Sequence, residues 1–179
     1  MSQKTIQRVF ARAQSDQTRT DQSDISPSSI RSKLTENELS ESKRKLGFEP
    51  PALYVTLMQT VGNGGFGPGY GLMGLVGGAT DDMGKTSVEL YKDFSQFDSD
   101  DPAWKWPYGL LPVCHWGCAI YSCIDSTNDG APIKTWDPNE WEEGTSPELA
   151  IRSTEISLAQ WLETWSDGTN IWEKMFPSS

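Results

Sequence analysis

Residues 106–125, WPYGLLPVCHWGCAIYSCID, constrain the fold more than any other stretch, because all three cysteines and the only histidine of the chain lie within them. With a period of two, Leu111, Val113 and His115 share one face, and residues 118–124 are apolar on both faces. This pattern is typical of strands in a sheet that is covered on both sides. A metal or catalytic site is the alternative interpretation of the same residues.

Four segments have the composition of strands, and they are residues 71–76, 111–116, 118–125 and 133–136. The cluster Asn128, Asp129 and Gly130 between the last two is a turn signal and predicts an antiparallel hairpin. Helical patterns come before and after this group of neighbouring strands. That order predicts the α+β class, with a central, mostly antiparallel sheet, rather than a parallel doubly wound sheet.

Capping boxes mark where helices are expected to begin. They are Thr35 with Glu38, Ser157 with Gln160 and, as a weaker case, Thr86 with Glu89. The first of these helices is expected to end by Gly47, and Pro50 and Pro51 open another. Apolar residues recur at helical spacing after these starts, which indicates buried faces. The clearest of them are Tyr54, Leu57 and Met58 in one helix and Leu158, Trp161, Leu162 and Trp165 in the last.

Three blocks of the sequence resemble the SUKH superfamily, and they occur in the order typical of that family. They are residues 34–66, the short GLMGL at 71–75 and the pattern LLP...WGC...Y.CID within 106–125. SUKH domains are small α+β proteins that include bacterial toxin-immunity proteins and a fungal regulator of cell-wall synthesis. The resemblance implies two N-terminal helices and a C-terminal helix packed on the sheet. One position departs from the family pattern, where Ala119 follows WGC in place of the usual glycine.

The N-terminal part of the chain differs from the rest in composition, so we predict a polar tail over residues 1–33 and a SUKH-like domain over 34–179. Residues 15–32 consist almost entirely of Ser, Thr, Gln, Asp and Arg, which predicts disorder. Before them, Ile6, Val9, Phe10 and Ala13 recur at helical spacing and predict a short amphipathic helix that packs on its own domain. A membrane-surface or targeting role is the alternative for that helix.

Charge is divided unevenly between these two parts. Residues 1–33 hold six basic and three acidic residues, net +3, whereas residues 34–179 hold nine basic and 22 acidic residues, net −13. An acidic domain disfavours nucleic acid and anionic lipid as direct ligands and speeds encounters with basic proteins, although solubility alone would also explain the charge. We expect a cytoplasmic protein, because the chain has no run that could span a membrane, no secretory signal and an odd number of cysteines.

Two motifs resemble nucleotide-binding signals but lack the context that those signals need. Residues 62–67 spell G-x-G-x-x-G, yet a helix precedes them where a dinucleotide site requires a strand. Residues 63–65 fit a turn with positive φ angles that ends the helix. Residues 79–86, ATDDMGKT, approach a phosphate-binding loop, but Asp81 and Asp82 would repel a phosphate.

Metal binding and catalysis find little support in the sequence. Four zinc-ligand types lie close together, and they are Cys114, His115, Cys118 and Cys123. Because their spacing does not match paired zinc ligands, we expect buried thiols and no cofactor. The acid or base candidates are Asp125 and Asp137, which also suit turns at strand ends. We therefore expect a protein without enzymatic activity.

Two segments that combine acidic residues with tryptophan form the best candidate for a binding face. Residues 93–107 read DFSQFDSDDPAWKWP, and residues 139–143 read NEWEE. Tryptophan is enriched among the residues that contribute most to protein interfaces, and an acidic rim speeds association with a basic partner. Burial of these tryptophans in the core is the alternative. The predicted partner-binding residues are Asp93, Asp98, Asp100, Asp101, Trp104, Glu140, Trp141 and Glu142.

Together, the resemblance and the charge favour a non-enzymatic, immunity-type protein that neutralises a cognate protein toxin by direct contact. A basic nuclease is the favoured class of toxin, and the residues expected to form the acidic rim around the contact are Asp98, Asp100, Asp101 and Glu142. The alternative is a signalling or scaffolding adaptor related to the regulation of cell-wall synthesis, with interaction motifs in the tail.

Overall fold

The computed structural model describes residues 3–17, 29–96 and 101–175. Its helices are α1 Gln3–Gln17, α2 Glu36–Leu46, α3 Ala52–Thr60, α4 Ser87–Ser95, α5 Leu158–Ser166 and α6 Ile171–Met175. Its strands are β1 Leu110–His115, β2 Tyr121–Asp125, β3 Pro132–Trp136 and β4 Ile151–Ser157. Two short 3₁₀ helices, Pro138–Glu140 and Pro147–Ala150, lie between β3 and β4.

The four strands form one antiparallel sheet in the order β1-β2-β3-β4. The predicted hairpin between β2 and β3 is present, and the backbone N–H of Ala131 donates to the carbonyl of Asn128 across its turn at 3.1 Å. Every residue of β1 and β2 is buried, as expected for strands covered on both faces. The α+β class with a central antiparallel sheet is confirmed.

The strand assignments from sequence need two corrections. Residues 71–76 form no strand and make only an isolated bridge from Leu72 to Cys114. The backbone N–H and C=O of Leu72 instead bond to Phe66 and Gly65, so the glycine-rich loop takes up hydrogen bonds that a sheet would need. The prediction missed β4, because IRSTEIS lacks the apolar alternation that marks a half-buried strand.

All three predicted capping boxes are present, at Thr35, Thr86 and Ser157. In each, the hydroxyl accepts from the backbone N–H three residues on, and the Glu or Gln side chain accepts from the cap residue. Gly47 ends α2 with φ of 78°, in the left-handed conformation that glycine adopts without a steric cost. The helix starts are therefore encoded locally.

The core lies between the sheet and the helices on it. The predicted faces of α3 and α5 are buried, with Tyr54 and Trp161 among the largest side chains that are closed off from solvent. The Tyr54 hydroxyl donates to the carbonyl of Met73, and burial raises the pKa of Tyr54. This contact ties α3 to the glycine-rich loop that precedes α4.

The amphipathic helix predicted in the N-terminal segment is α1, which packs on α5. Val9 and Ala13 are buried in the core, whereas Phe10 is 43% exposed. Arg8 forms an ion pair with Asp167 just beyond the end of α5. The helix is thus held by apolar and charged contacts together, and removing it would uncover part of the domain.

Part of the segment expected to be disordered is paired with the domain. Residues 18–28 lie outside the described residues, but the N–H of Arg31 donates to the carbonyl of Gly64 at 3.1 Å, and that of Asn63 donates to the carbonyl of Ser32 at 3.0 Å. Backbone pairing of this kind does not depend on side-chain composition, which is why the polar sequence concealed it. The domain boundary at residue 34 stays a prediction.

The β1–β2 turn explains what the departure at Ala119 costs. Gly117 accepts from the N–H of Ile120 at 2.9 Å, and the two central residues, Cys118 and Ala119, have φ of 51° and 57°. Such positive angles characterise the type I′ turns of tight hairpins and strongly favour glycine or asparagine. The chain therefore stores strain in an exposed turn.

Replacing Ala119 with glycine is expected to stabilise the protein by about 1 kcal/mol, because glycine adopts the left-handed conformation without the Cβ clash. Urea denaturation of both proteins measures the change. Ala103→Gly, at a position without positive φ, serves as the control and is expected to have no effect or to destabilise. An unchanged or lower midpoint for Ala119→Gly would show that this turn is unstrained.

Candidate functional site

A continuous row of aromatic rings in stacked, tilted and edge-to-face contacts crosses one end of the sheet. We call it the aromatic row, and its members in order are Tyr70, His115, Tyr121, Phe94, Trp104 and Trp141. The successive ring centroids are 5.4, 5.0, 6.0, 6.3 and 5.1 Å apart. The row exists because His115 and Tyr121 are register partners in β1 and β2, so their side chains stand on one face.

The two tryptophans at one end of the row are held in fixed orientations while remaining partly exposed. The Nε1–H of Trp104 donates to the carbonyl of Phe94 at 2.6 Å, and that of Trp141 donates to the carbonyl of Thr145 at 2.9 Å. Their rings meet at right angles. Rings fixed in this way lose little conformational entropy when a partner binds to them.

Buried tryptophans support this exposed pair from below. Trp106 is 8% exposed and Trp136 is 3% exposed, and their centroids lie 5.5 Å apart. The Nε1–H of Trp106 donates to the carbonyl of Leu110. Trp106 therefore belongs to the core, which was the alternative to a place on the binding face. Trp104 and Trp141 bridge between that core and the surface.

Asp101 joins the two segments that the sequence singled out. One carboxylate oxygen accepts from the N–H of Ala103 at 3.0 Å, and the other accepts from the N–H of Gly144 at 3.2 Å. The structure thus brings the segment around Trp104 together with the one around Trp141. Asp101 is only 8% exposed, so it contributes little to the exposed part of the predicted acidic rim, and its contact with a partner stays a prediction. Its position directly before Pro102 is a turn signal that could have identified its role in joining the two segments.

The other acidic residues of the predicted site differ in exposure and pairing. Glu142 is exposed, and Glu140 is exposed but accepts from Arg152 at 2.5 Å. Asp93 is partly exposed and forms an ion pair with Lys85. Asp98 and Asp100 lie outside the described residues. Partner binding by any of these residues stays a prediction.

The opposite end of the aromatic row is organised by two consecutive aspartates. Asp81 accepts from the hydroxyl of Tyr121 at 2.9 Å, and the carboxylate of Asp82 lies 3.7 Å from Nδ1 of His115. Burial and the neighbouring Asp81 carboxylate raise the pKa of Tyr121, so this phenol stays protonated and continues to donate. The sequence suggested neither aspartate as a partner of these rings.

Asp81 also explains why residues 79–86 do not suit a phosphate. Its Oδ1 accepts from the N–H groups of Met83 and Lys85 at 3.0 and 2.9 Å. A phosphate-binding loop presents such N–H groups to its ligand, whereas here the protein's own carboxylate occupies two of them. The loop is therefore a closed turn that docks on Tyr121.

The glycine motif at 62–67 is a turn, as expected. Gly64 and Gly65 have φ of 85° and 84°. The side chain of Asn63 is 1% exposed and pairs with the N–H of Leu75 and the carbonyl of Val76, both at 2.9 Å. Asn63 thus closes the loop between α3 and α4.

The cysteines and the histidine do not converge. Cys114 and Cys123 are buried, whereas Cys118 is exposed in the β1–β2 turn. Burial raises the pKa of both buried thiols, which keeps them in the protonated form. Within residues 3–17, 29–96 and 101–175, no group of three or more His, Cys, Asp or Glu side chains is placed to hold a metal ion.

The two carboxylates considered for catalysis have structural partners. Asp137 accepts from the N–H of Asn139 and caps a 3₁₀ helix. Asp125 is 5% exposed and accepts from Thr127, Asn128 and Lys134 at 2.6 to 3.0 Å. Burial opposes ionisation of Asp125, but these hydrogen bonds outweigh it and lower its pKa to about 2.

The lowered pKa predicts acid lability. The pKa of Asp125 in the folded state lies below its ordinary value of 3.8. The ionised Asp125 carboxylate therefore stabilises the fold above about pH 4, and this stabilisation is lost as the pH falls towards 2. Asp125→Asn is expected to cost about 2 kcal/mol at pH 7 and progressively less below pH 4. Urea denaturation of both proteins from pH 7 to pH 3 measures this difference. A difference in unfolding free energy between the two proteins that stays constant from pH 7 to pH 3 would contradict the lowered pKa of Asp125.

Comparison with family models identifies the family of this chain. The model of the SMI1 / KNR4 family (SUKH-1) matches residues 33–163, which is most of the chain. No curated protein matches the sequence significantly. Among the described residues, no helix is both long and apolar enough to cross a membrane.

Proposed function

The chain belongs to the SMI1/KNR4 family (SUKH-1), and on this premise we propose that it is a non-enzymatic immunity-type protein that neutralises a cognate protein toxin by direct contact. The contact face in this proposal is the Trp104–Trp141 end of the aromatic row with its acidic surroundings. One observation carries the proposal: Asp101 joins two segments, distant in sequence, into a single pre-organised face. Pre-organised aromatic anchors are typical of interfaces.

Charge supports a basic partner. Residues 34–179 carry a net charge of −13, and Glu142 and Glu143 are exposed beside Trp141. Such a field raises the rate of encounter with a positively charged surface, as a nuclease that binds nucleic acid must have. In our proposal the domain covers that surface and so blocks the toxin's access to its substrate, within the cytoplasm.

The residues considered for chemistry support a non-enzymatic role. Asp125 and Asp137 are used in turns, and Asp81 is used in a loop closure. A general acid or base needs a proton-transfer position facing a substrate, which these hydrogen-bonded carboxylates do not offer.

Capture of partners with the tagged protein from its native cells tests the proposal. Bound proteins are washed at rising salt and compared between the wild type and a charge-reversed variant. A basic protein that is retained by the wild type, released at high salt and inhibited in its own activity by the purified domain supports neutralisation. A captured partner whose activity is unaffected by saturating domain counts against it.

Reversing the charge of the predicted acidic rim is expected to slow association with that partner. Glu142→Lys lowers the association rate about threefold at low salt, and adding Asp98→Lys and Asp100→Lys brings the loss to about tenfold or more. Stopped-flow fluorescence measures the rates. Asp129→Lys makes the same change as Glu142→Lys at an exposed position in the β2–β3 turn, at the opposite end of the sheet, and is expected to have little effect. Equal rates for Glu142→Lys and Asp129→Lys would place the contact elsewhere.

The polar composition of residues 18–28 favours a second candidate function, that of a signalling or scaffolding adaptor with interaction motifs in this segment. Residues 18–28 join two segments that are both attached to the domain, α1 by packing and residues 29–32 by hydrogen bonds. Deleting residues 1–32 would remove α1 and so disturb the domain itself. Replacing residues 18–28 with an equally long Gly-Ser segment is the cleaner test, since only the adaptor function is expected to lose its partners.

A further inference from the structure

A second surface combines exposed apolar side chains with one carboxylate. We call it the turn face, and it consists of Tyr70, Asp82, Met83, Cys118 and Trp172. Six large hydrophobic side chains are exposed in the described part of the chain, and three of them, Tyr70, Met83 and Trp172, lie here at 42%, 72% and 38% exposure. Clustering of this kind indicates an interaction surface, whereas single exposed apolar residues do not.

Contacts link these residues, or their neighbours along the chain, through His115 and the β1–β2 turn. The Tyr70 ring lies over Gly117 of the β1–β2 turn, where an added Cβ would be 3.4 Å from the Tyr70 hydroxyl. Trp116, the preceding residue, contacts the ring of Trp172 with centroids 5.4 Å apart. His115 connects the other side, because its ring stacks on Tyr70 and its Nδ1 faces Asp82, the neighbour of Met83.

The turn beneath this surface is strained. Within the described residues, four non-glycine residues have positive φ, and two of them, Cys118 and Ala119, are consecutive here. Strain that is retained in an exposed turn, where glycine would relieve it, is more common at functional sites than elsewhere. The conformation of this turn exposes Cys118 and places Gly117 against the Tyr70 ring.

His115 provides an independent observation. The side chain is 3% exposed, and its Nε2 has no hydrogen-bond partner among the described residues. A buried polar atom without a partner costs about 1–3 kcal/mol of stability. Packing alone would be served better by an apolar residue at this position, so the presence of histidine is unusual. The imidazole instead supports the Tyr70 ring and lies beside Asp82.

We propose that the turn face binds an extended segment of a partner protein, in which an aliphatic or aromatic side chain packs against Tyr70 and Met83 and a neighbouring Lys or Arg pairs with Asp82. Asp82 is 67% exposed and is the one charged residue among the five that define the face, so charge complementarity selects a basic residue beside the apolar one. This proposal does not depend on toxin neutralisation, since it concerns a different part of the surface from Glu142 and Trp141.

Selection from a displayed library of random twelve-residue peptides on the full-length protein tests the proposal. Selected peptides are expected to pair an apolar residue with Lys or Arg. Their affinity is expected to fall at least tenfold for Asp82→Lys and for Met83→Ala, and because the Met83 side chain is 72% exposed its truncation is expected to leave the fold intact. Selection on Asp82→Lys is expected to return Asp or Glu in place of the basic residue.

Leu149→Ala is the matched control, because Leu149 is 75% exposed outside the turn face, and the selected peptides are expected to bind it as they bind the wild type. Peptides that bind Asp82→Lys and Met83→Ala as tightly as the wild type, or no enrichment, would overturn the proposal. A dimer in sedimentation that Met83→Ala dissolves would overturn it too, since a second copy would then be the occupant.

Discussion

Replacing Trp141 with alanine is expected to weaken binding of the captured partner at least 30-fold while the domain remains folded. The Trp141 ring is fixed by its bond to the Thr145 carbonyl and by its contact with Trp104, yet part of it remains open to solvent. Removing an anchor of this kind typically costs 2 kcal/mol or more of binding free energy, which corresponds to about 30-fold in affinity. Titration calorimetry measures the affinity.

Two further variants make this result interpretable. Trp141→Phe keeps an aromatic ring but loses the Nε1–H donor, and it is expected to lose only a few-fold in affinity. Tyr108→Ala removes an aromatic side chain that is 65% exposed outside the contact face, and it is expected to bind as the wild type does. Circular dichroism checks that each variant is folded. A folded Trp141→Ala variant that binds within threefold of the wild type would assign Trp141 to packing alone.

Replacing Asn63 with alanine is expected to destabilise the protein by about 4 kcal/mol, the largest stability effect that we predict. The substitution leaves the buried N–H of Leu75 and the partly buried carbonyl of Val76 without their side-chain partner, at about 1–3 kcal/mol each. Gly78 packs directly against the amide, since a Cβ added at Gly78 would lie 2.6 Å from the Asn63 side chain, so the substitution acts in a tightly packed part of the loop.

Urea denaturation at pH 7 measures this effect, and Asn139→Ala, at an exposed asparagine in the 3₁₀ helix after β3, is the control with an expected loss below 1 kcal/mol. A loss of similar size for the two variants would show that the loop between α3 and α4 does not depend on the Asn63 side chain.

Features that depend on neighbours along the chain were predictable from sequence. The capping boxes at Thr35, Thr86 and Ser157 were found because their partners lie three residues away. The β2–β3 hairpin was found because its turn residues are characteristic. The family resemblance was found from short blocks, and the family match over residues 33–163 confirms it.

Features that depend on distant contacts were not predictable. The hydrogen bond from Gly144 to Asp101 spans 43 positions, and no local sequence pattern predicts it. Asp101 was therefore placed with the exposed acids, although its carboxylate is buried. β4 was missed for a related reason, since its pairing with β3 and not its own composition makes it a strand.

The aromatic row illustrates the same limit at the candidate site. Trp104 and Trp141 were selected from sequence for their chemistry, but their right-angled contact arises only in the folded chain. Tyr70 and His115 were not connected to them, because the row passes through Tyr121 on β2 and Phe94 on α4. The sequence thus identified two residues of the row, and the other members are recognised only from their contacts in the folded chain.

Titration of the captured partner's own activity with the purified domain tests the central claim most directly. If the domain neutralises the partner by covering its active surface, activity falls in proportion to added domain and reaches zero near one domain per partner. The Trp141→Ala variant then requires a much larger excess for the same inhibition. A partner that retains its activity at saturating domain, with binding verified in the same sample, would contradict neutralisation and favour the adaptor function.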